Sequence, residues 1–344
     1  MELTPRKQAV LKAIIKAYIE TGEPVGSKIL TSLLENAPSS ATLRNEMSEL
    51  CELGLLKQPH TSAGRVPTAG GYKLYVDNLM SENEVSEQTA GYIDKALNEL
   101  SCEPEGIPQF AAKLLSELTG LPAISCLITD RPPKIKQLQL LPVGRFSFML
   151  LVLTNDGRAR NKILRCGKNL SEGASKCFED IYLSHIKGKT VDTLTKGYMQ
   201  SLLARSGMYA LELMPVFTGV FETAADIEDK TLHISGENAL YNISGSESEA
   251  RRILSLIKSR DPFISILEDI GDGAGAIFGA DTEYEELLRD TIIAAKFSTA
   301  DNYKGYVGVI GPTRMSYDRI MPTVKYTARR LGEIMTEAQR DMED

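Results

Sequence analysis

Two stretches near the start of the chain carry side chains suited to hydrogen bonding with a DNA duplex. The first is Ser39-Ser40-Ala41-Thr42-Leu43-Arg44-Asn45-Glu46-Met47. Helical spacing from Ser40 onward puts Leu43, Met47, Leu50 and Cys51 on one face and Ala41, Asn45 and Ser48 on the other, flanked by Thr42 and Arg44. An arginine pairs with the groove edge of guanine and an asparagine with that of adenine, so Thr42, Arg44 and Asn45 are the expected base contacts. Ser39 and Ser40 offer hydroxyls to cap this helix and to meet phosphate. Glu46, Glu49 and Glu52 come later, where a recognition helix faces away from the bases.

The second stretch, Gln58-Pro59-His60-Thr61-Ser62-Ala63-Gly64-Arg65-Val66-Pro67, is a polar excursion bounded by prolines, with Gly64 expected at its bend. It follows a short strand beginning at Leu55-Leu56-Lys57 and reads as a wing. Lys57, His60 and Arg65 are expected to meet phosphate or a neighbouring minor groove, with the hydroxyls of Thr61 and Ser62 fixing register.

The elements that must hold these groups are legible upstream. Val10, Leu11, Ile14, Ile15 and Tyr18 recur at helical spacing, with Thr4 as N-cap, Pro5 at the first helical position and Gly22 as the stop. Ser27 is expected to cap a second short helix with a stripe of Leu30, Leu33 and Leu34, closed by Asn36 and Pro38. Three short helices and a hairpin also occur in small protein-interaction domains, so periodicity alone leaves that reading open. The groove-compatible third helix with a basic wing directly after it favours DNA.

At 344 residues the chain is long enough for two or three domains. Its net charge of −7 is a property of the later part: residues 1–80 hold nine Lys and Arg against eight Asp and Glu, which leaves 30 against 38 in the rest. No apolar run is long enough for a membrane helix and no signal peptide is seen, so a cytoplasmic protein without membrane contact is expected. Five scattered cysteines without a C-x-x-C pair fit a reducing compartment and argue against a zinc site.

The sequence resembles the HrcA family of heat-inducible transcription repressors. Three stretches of the head carry the resemblance: Tyr18-Ile19-Glu20-Thr21-Gly22-Glu23-Pro24-Val25-Gly26-Ser27, then Ser39 to Met47, then Gln58 to Thr68. A fourth, Gly308-Val309-Ile310-Gly311-Pro312-Thr313-Arg314-Met315-Ser316-Tyr317, extends it nearly to the other end. The resemblance implies a winged-helix head, a GAF-like body and an inserted dimerising segment. It further implies a homodimer that binds an inverted-repeat operator upstream of chaperone operons, kept active by GroEL-type chaperonin.

The expected class is α+β and multidomain: a winged helix-turn-helix at 1–75, a helical connector at 76–105, a GAF-like antiparallel-sheet body at 106–168 and 232–344, and an inserted, mainly helical dimerising segment at 169–231. Read from the residues, strands are expected at Ile124 to Thr129, Lys136 to Pro142, Phe146 to Leu153 and Ala159 to Cys166, with Asn155-Asp156-Gly157 as a hairpin turn whose Asp-Gly pair suits positive φ. The following helical block is either an insertion, for which pairing two copies is a natural use, or a cover for the same sheet. His233 to Ile243 resumes the sheet, Tyr306 to Ile310 adds a strand, and a helix from about Tyr317 closes the chain, with Pro322 either kinking it or marking its start.

Other chemistry has little behind it. Gly188-Lys189-Thr190 resembles the end of a phosphate loop, but Leu183 stands where its first glycine belongs. Gly271-Asp272-Gly273-Ala274-Gly275 reads as a turn, the three histidines are far apart, and no G-x-S-x-G elbow is present. No enzyme and no cofactor are expected. Arg314 is either a ligand contact or a structural salt bridge or helix-start residue. A second reading, a regulator controlled by a small molecule in the GAF-like body, remains beside the heat-controlled one.

Overall fold

The structure is a computed structural model that describes residues 3–35, 37–60, 63–81, 83–100, 106–129, 132–227, 230–243, 246–299 and 303–343. Asn36, Thr61 and Ser62, named above, and one of the five cysteines, Cys102, lie outside the described residues.

The head opens with α1 (Pro5–Thr21), α2 (Ser27–Leu33) and α3 (Ser40–Glu52), then β1 (Leu56–Lys57) and β2 (Val66–Pro67), and leaves through α4 (Ala69–Leu74), which runs into a single π turn, Tyr75–Leu79. Thr4 caps α1 by accepting from the Lys7 amide, and Gly22 ends it at φ 74° with its N–H on the Tyr18 carbonyl, a conformation that disfavours a Cβ. Val10, Leu11, Ile14 and Ile15 are buried from α1, Leu30 from α2, and Leu43, Met47 and Leu50 from α3. Ser27 is not the cap of α2. That position belongs to Gly26, and the Ser27 hydroxyl instead lies 2.8 Å from that of Ser40, tying the two helices of the turn together.

The segment expected as a mere connector docks on the body. Its helix α5 (Glu87–Asn98) lays Ile93 and Leu97 against Leu114 of α6 (Gly106–Thr119). Asp94 accepts from Tyr326 and Arg330 at 2.8 Å each.

After β3 (Ala123–Thr129) the chain leaves the body's sheet. β4 (Ile135–Gly144), β5 (Ser147–Thr154) and β6 (Ala159–Arg165) form a separate three-stranded antiparallel sheet. Its core of Leu138, Leu150, Val152 and Leu164 is shared with α7 (Glu172–Ile181), α8 (Lys196–Arg205) and α9 (Ala210–Ala225), not with the body. The inserted unit therefore begins near residue 132 rather than 169. Alternation along a strand reports which face is apolar, not which sheet the strand joins.

The body's sheet resumes with β7 (Lys230–Ser235). Residues Glu237–Ile243, expected to continue this strand, instead form α10, and two further helices, α11 (Glu247–Lys258) and α12 (Asp261–Glu268), were not foreseen. β8 (Ala274–Phe278), β9 (Asp290–Ser298) and β10 (Tyr303–Pro312) complete a five-stranded, fully antiparallel sheet in the order β7-β3-β10-β9-β8. α13 (Tyr317–Glu343) closes the chain, with Pro322 inside its second turn. Both faces are covered, so the central strands bury apolar residues on both sides: Ile293, Phe297 and Val307 meet α13 and α6, while Ile292, Ala294 and Ile310 meet α11 and α12.

Two buried aspartates shape this scaffold. Asp156, in the turn between β5 and β6, has no positive φ; only Gly157 does, at 84°. Its Oδ2 lies 2.8 Å from the Arg158 guanidinium, with both side chains almost wholly buried, and accepts the Tyr303 hydroxyl of β10 at 2.9 Å; the Thr154 hydroxyl donates to its other oxygen. This cluster joins the inserted unit to the body.

Asp290 opens β9 in burial, without a matched partner for its carboxyl among the described residues. Desolvation, with Glu249 adding to it and Arg289 opposing, pushes its carboxyl up to about 6 from 3.8. The folded state then holds the proton more tightly between those values, so this group removes stability as pH rises through the window, with the full cost above it. Asp290→Asn is expected to add about 2 to 3 kcal/mol near pH 7.5 and almost nothing below pH 4, read as the shift in urea midpoint between variant and parent.

Candidate nucleic-acid interface

The N-terminal half of α3 presents the groups expected to read bases. Arg44 and Asn45 are exposed, while Leu43 and Met47 between and beside them are buried and hold the helix to the head. Ser39 caps the helix by accepting from the Thr42 amide at 3.2 Å, and its hydroxyl is 2.9 Å from that of Thr42. Thr42 is thus half-buried in the cap, and Ser40 is engaged with Ser27.

Two of the three acids of this helix, Glu46 and Glu49, are turned onto α1. Glu49 lies 2.6 Å from Lys7 and Glu46 lies 3.8 Å from Arg6, both on α1. The hydrogen bond to Glu49 holds the Lys7 ammonium above its usual range. Cations of α1 therefore offset carboxylates that would otherwise repel phosphate.

β1 starts four residues after α3 ends, so the wing follows directly. Lys57, Gln58, Pro59 and His60 are exposed along its outgoing arm. The returning arm is held differently from expectation. Val25 and Arg65 exchange both backbone hydrogen bonds, 3.0 and 2.9 Å, which adds a third strand-like segment to β1 and β2. Gly64 is not at an open bend but pressed on this segment: a Cβ there would sit 2.4 Å from the Val25 carbonyl. Gly64→Ala is accordingly expected to cost about 1 to 3 kcal/mol of head stability and to weaken binding to every duplex, measured by thermal melting and titration.

Arg65 is half-buried, with one guanidinium nitrogen 3.5 Å from the Ala63 carbonyl and its Nε buried without a partner among the described residues. The structure thus groups Ser39, Ser40, Thr42, Arg44 and Asn45 on the first turns of α3 and Lys57, His60 and Arg65 on the hairpin after it, while Thr61 and Ser62 are not described.

A joint between head and body went unseen in the sequence. Arg314, considered above for a ligand or salt bridge, donates to the carbonyls of Tyr18 and Ile19 at 3.4 and 3.2 Å and lies over the Tyr18 ring at 5.9 Å. A guanidinium from the body thereby caps the negative end of α1. Tyr72 of the head packs on Tyr317 of the body with ring centroids 5.8 Å apart, and Lys73 meets Asp281 at 2.7 Å. The Tyr72 hydroxyl is buried with no partner among the described residues, and that burial pushes its ionisation up.

Among the described residues no cluster of three or more His, Cys, Asp or Glu side chains could hold a metal, and no helix is long and apolar enough to cross a membrane. In Gly188-Lys189-Thr190 the Gly188 amide donates to the Ile135 carbonyl and the Lys189 amide to that of Ile186, so neither is open to cradle a phosphate.

A three-helix head with an exposed reading helix and a hairpin behind it, set on a larger mixed helix and antiparallel-sheet body, defines a winged helix-turn-helix transcription regulator. Within that class the chain belongs to the HrcA family. The family's DNA-binding model, described as a winged helix-turn-helix transcription repressor, matches residues 2–79, and the HrcA C-terminal domain model matches residues 105–321. A heat-inducible transcription repressor HrcA from Acetivibrio thermocellus is 29% identical over 338 residues, covering 97% of this chain and 96% of that one. One from Desulfitobacterium hafniense is 28% identical over 346 residues, covering 99% and 100%. A crystal structure described only as that of a hypothetical protein superposes with TM-score 0.70 at 25% identity, covering 98% of this chain and all of that one.

Proposed function

We propose that the chain represses chaperone operons by occupying an inverted-repeat operator as a homodimer, one head on each half-site. The exposed Arg44 and Asn45, on the first turns of a helix whose Glu46 and Glu49 are paired onto α1, carry this reading. Ser39, Ser40 and the wing residues Lys57, His60, Thr61, Ser62 and Arg65 supply phosphate contacts that set register. A twofold protein matches a twofold operator, and bound heads exclude polymerase.

Pairing through the inserted unit is supported by one of its surfaces. The helices of that unit cover one face of β4-β5-β6, the face of Leu150 and Val152. The opposite face carries Leu141, Met149, Leu151 and Ile163, half-buried or exposed, with Ile163 62% exposed. The body, a two-sided antiparallel sheet, is read as GAF-like. GroEL-type chaperonin maintains the active form, and heat derepresses by separating the correctly paired dimer, so that head spacing no longer fits two half-sites.

The test is a titration on an inverted-repeat duplex at several salt concentrations. Lys57→Ala is expected to weaken specific and random duplexes alike and to lower the slope of log K against log salt by about 0.9. An unchanged slope removes Lys57 from the interface. The second reading, control by a small molecule in the body, is favoured by a cleft of about 430 Å³ beside the head–body joint.

A further inference from the structure

We propose that this cleft binds a small organic carboxylate, and that the ligand competes with the end of α1 for Arg314. The inference deepens the small-molecule reading and rests on the head being the DNA-binding part.

The cleft lies between the end of α6 and the start of α13. Its charged side chains among the described residues are Arg314 and Arg319, with no carboxylate among them. Arg319 is exposed, and its guanidinium has no hydrogen-bond or ion-pair partner among the described residues. Hydroxyls of Ser316 and Thr323 and apolar groups of Leu121 and Ile320 complete the wall. Two guanidiniums without a counter-charge suit an oxyanion, and the apolar wall suits a short hydrocarbon body. The larger groove between α5 and α13, about 1090 Å³, has no such preference: four basic side chains there face four acidic ones among the described residues.

Arg314 gives the cleft a consequence. Its guanidinium is the one that caps the last turn of α1, at 3.2 Å from the Ile19 carbonyl. A carboxylate is a stronger acceptor than a peptide carbonyl, so a bound ligand draws Arg314 off the helix. The docked joint also leaves the Tyr72 hydroxyl buried and unsatisfied, which undocking relieves. Occupancy of the cleft and freedom of the head are then linked, and the linkage is reciprocal.

The experiment uses the full-length protein with benzoate as the probe, benzyl alcohol as its uncharged counterpart and inorganic phosphate as an anion without a hydrocarbon body. Calorimetry reads binding, and hydrogen exchange at the last turn of α1 reads the joint. Benzoate is expected to bind, Arg319→Ala to weaken it about tenfold, and both other probes to bind at least about tenfold less tightly. Exchange at the last turn of α1 is expected to quicken with benzoate in the parent and not to respond in Arg314→Ala. Absence of benzoate binding, or equal binding of benzyl alcohol, overturns the site. Equal binding of phosphate overturns the organic ligand, and binding without an exchange response overturns the competition. Operator titration without any probe is read separately: its failure sinks the DNA reading while the calorimetric result still decides the cleft.

Discussion

Arg44→Ala is expected to cost about 1 to 3 kcal/mol on operator DNA and to relax base preference at one position of each half-site, while random duplex binding changes far less. The reason lies in how α3 divides its faces. Leu43 and Leu50 have no exposed surface, so the helix is held by its buried side, and Arg44 can be truncated without leaving a cavity. Thermal melting of the variant is therefore expected to stay within about 0.5 kcal/mol of the parent. Asn45→Ala on the same face is expected to show a similar loss at a different base pair. The two losses are read from competition titrations against duplexes carrying every single-base change. Equal losses of Arg44→Ala on specific and random DNA would remove its base-reading role.

A larger effect, on stability, is expected at the seam between body and inserted unit. Asp156→Ala takes from the buried Arg158 the carboxylate 2.8 Å away and from the Tyr303 hydroxyl its acceptor. Breaking a buried pair from one side costs about 3 to 5 kcal/mol, mostly because the surviving charge stays out of water. Removing both partners, as Asp156→Leu with Arg158→Met, is expected to cost clearly less than the single change. Urea unfolding of the three proteins checks this. A single variant as stable as its parent would mean that the seam is not held by this pair. Because Tyr303 begins β10 and Asp156 sits in the inserted unit, the single variant is also expected to loosen one unit against the other, visible as a separated first transition.

The head was the most legible part of the sequence. Its signals are local: Thr4 and Ser39 cap helices through bonds three residues long, Gly22 stops a helix by its own φ, and the apolar stripe of α3 follows from spacing alone. What failed was non-local. β4, β5 and β6 alternate as strands of the body would, and only the partners of Leu138, Leu150 and Leu164 decide that they form another sheet. α11 and α12 were missed although their stripes are apolar: they lie between β7 and β8, the two edge strands of the body's sheet, which do not pair with each other. Gly64 looked like a bend residue, and its reason is instead the backbone of Val25, far away in sequence. Arg314 carried no signal of its destination, since its acceptors lie on α1 nearly the whole chain length away.

The candidate surface was legible as residue types and not as states. Arg44 and Asn45 are exposed as expected, and Glu46 and Glu49 do face another helix. The hydroxyls of Ser40 and Thr42 have partners, Ser27 and Ser39, that no pattern of side chains announces.

The central claim, that the outer face of α3 and the wing lie against a duplex, is tested most directly by photocrosslinking. A photoreactive phenylalanine analogue is placed at Asn45, at His60 and, as a control on the body, at Glu247, and each protein is irradiated on saturating inverted-repeat DNA. Adducts are expected from the first two positions and not from the third. A protein that binds the duplex fully yet gives no adduct from position 45 would contradict the account.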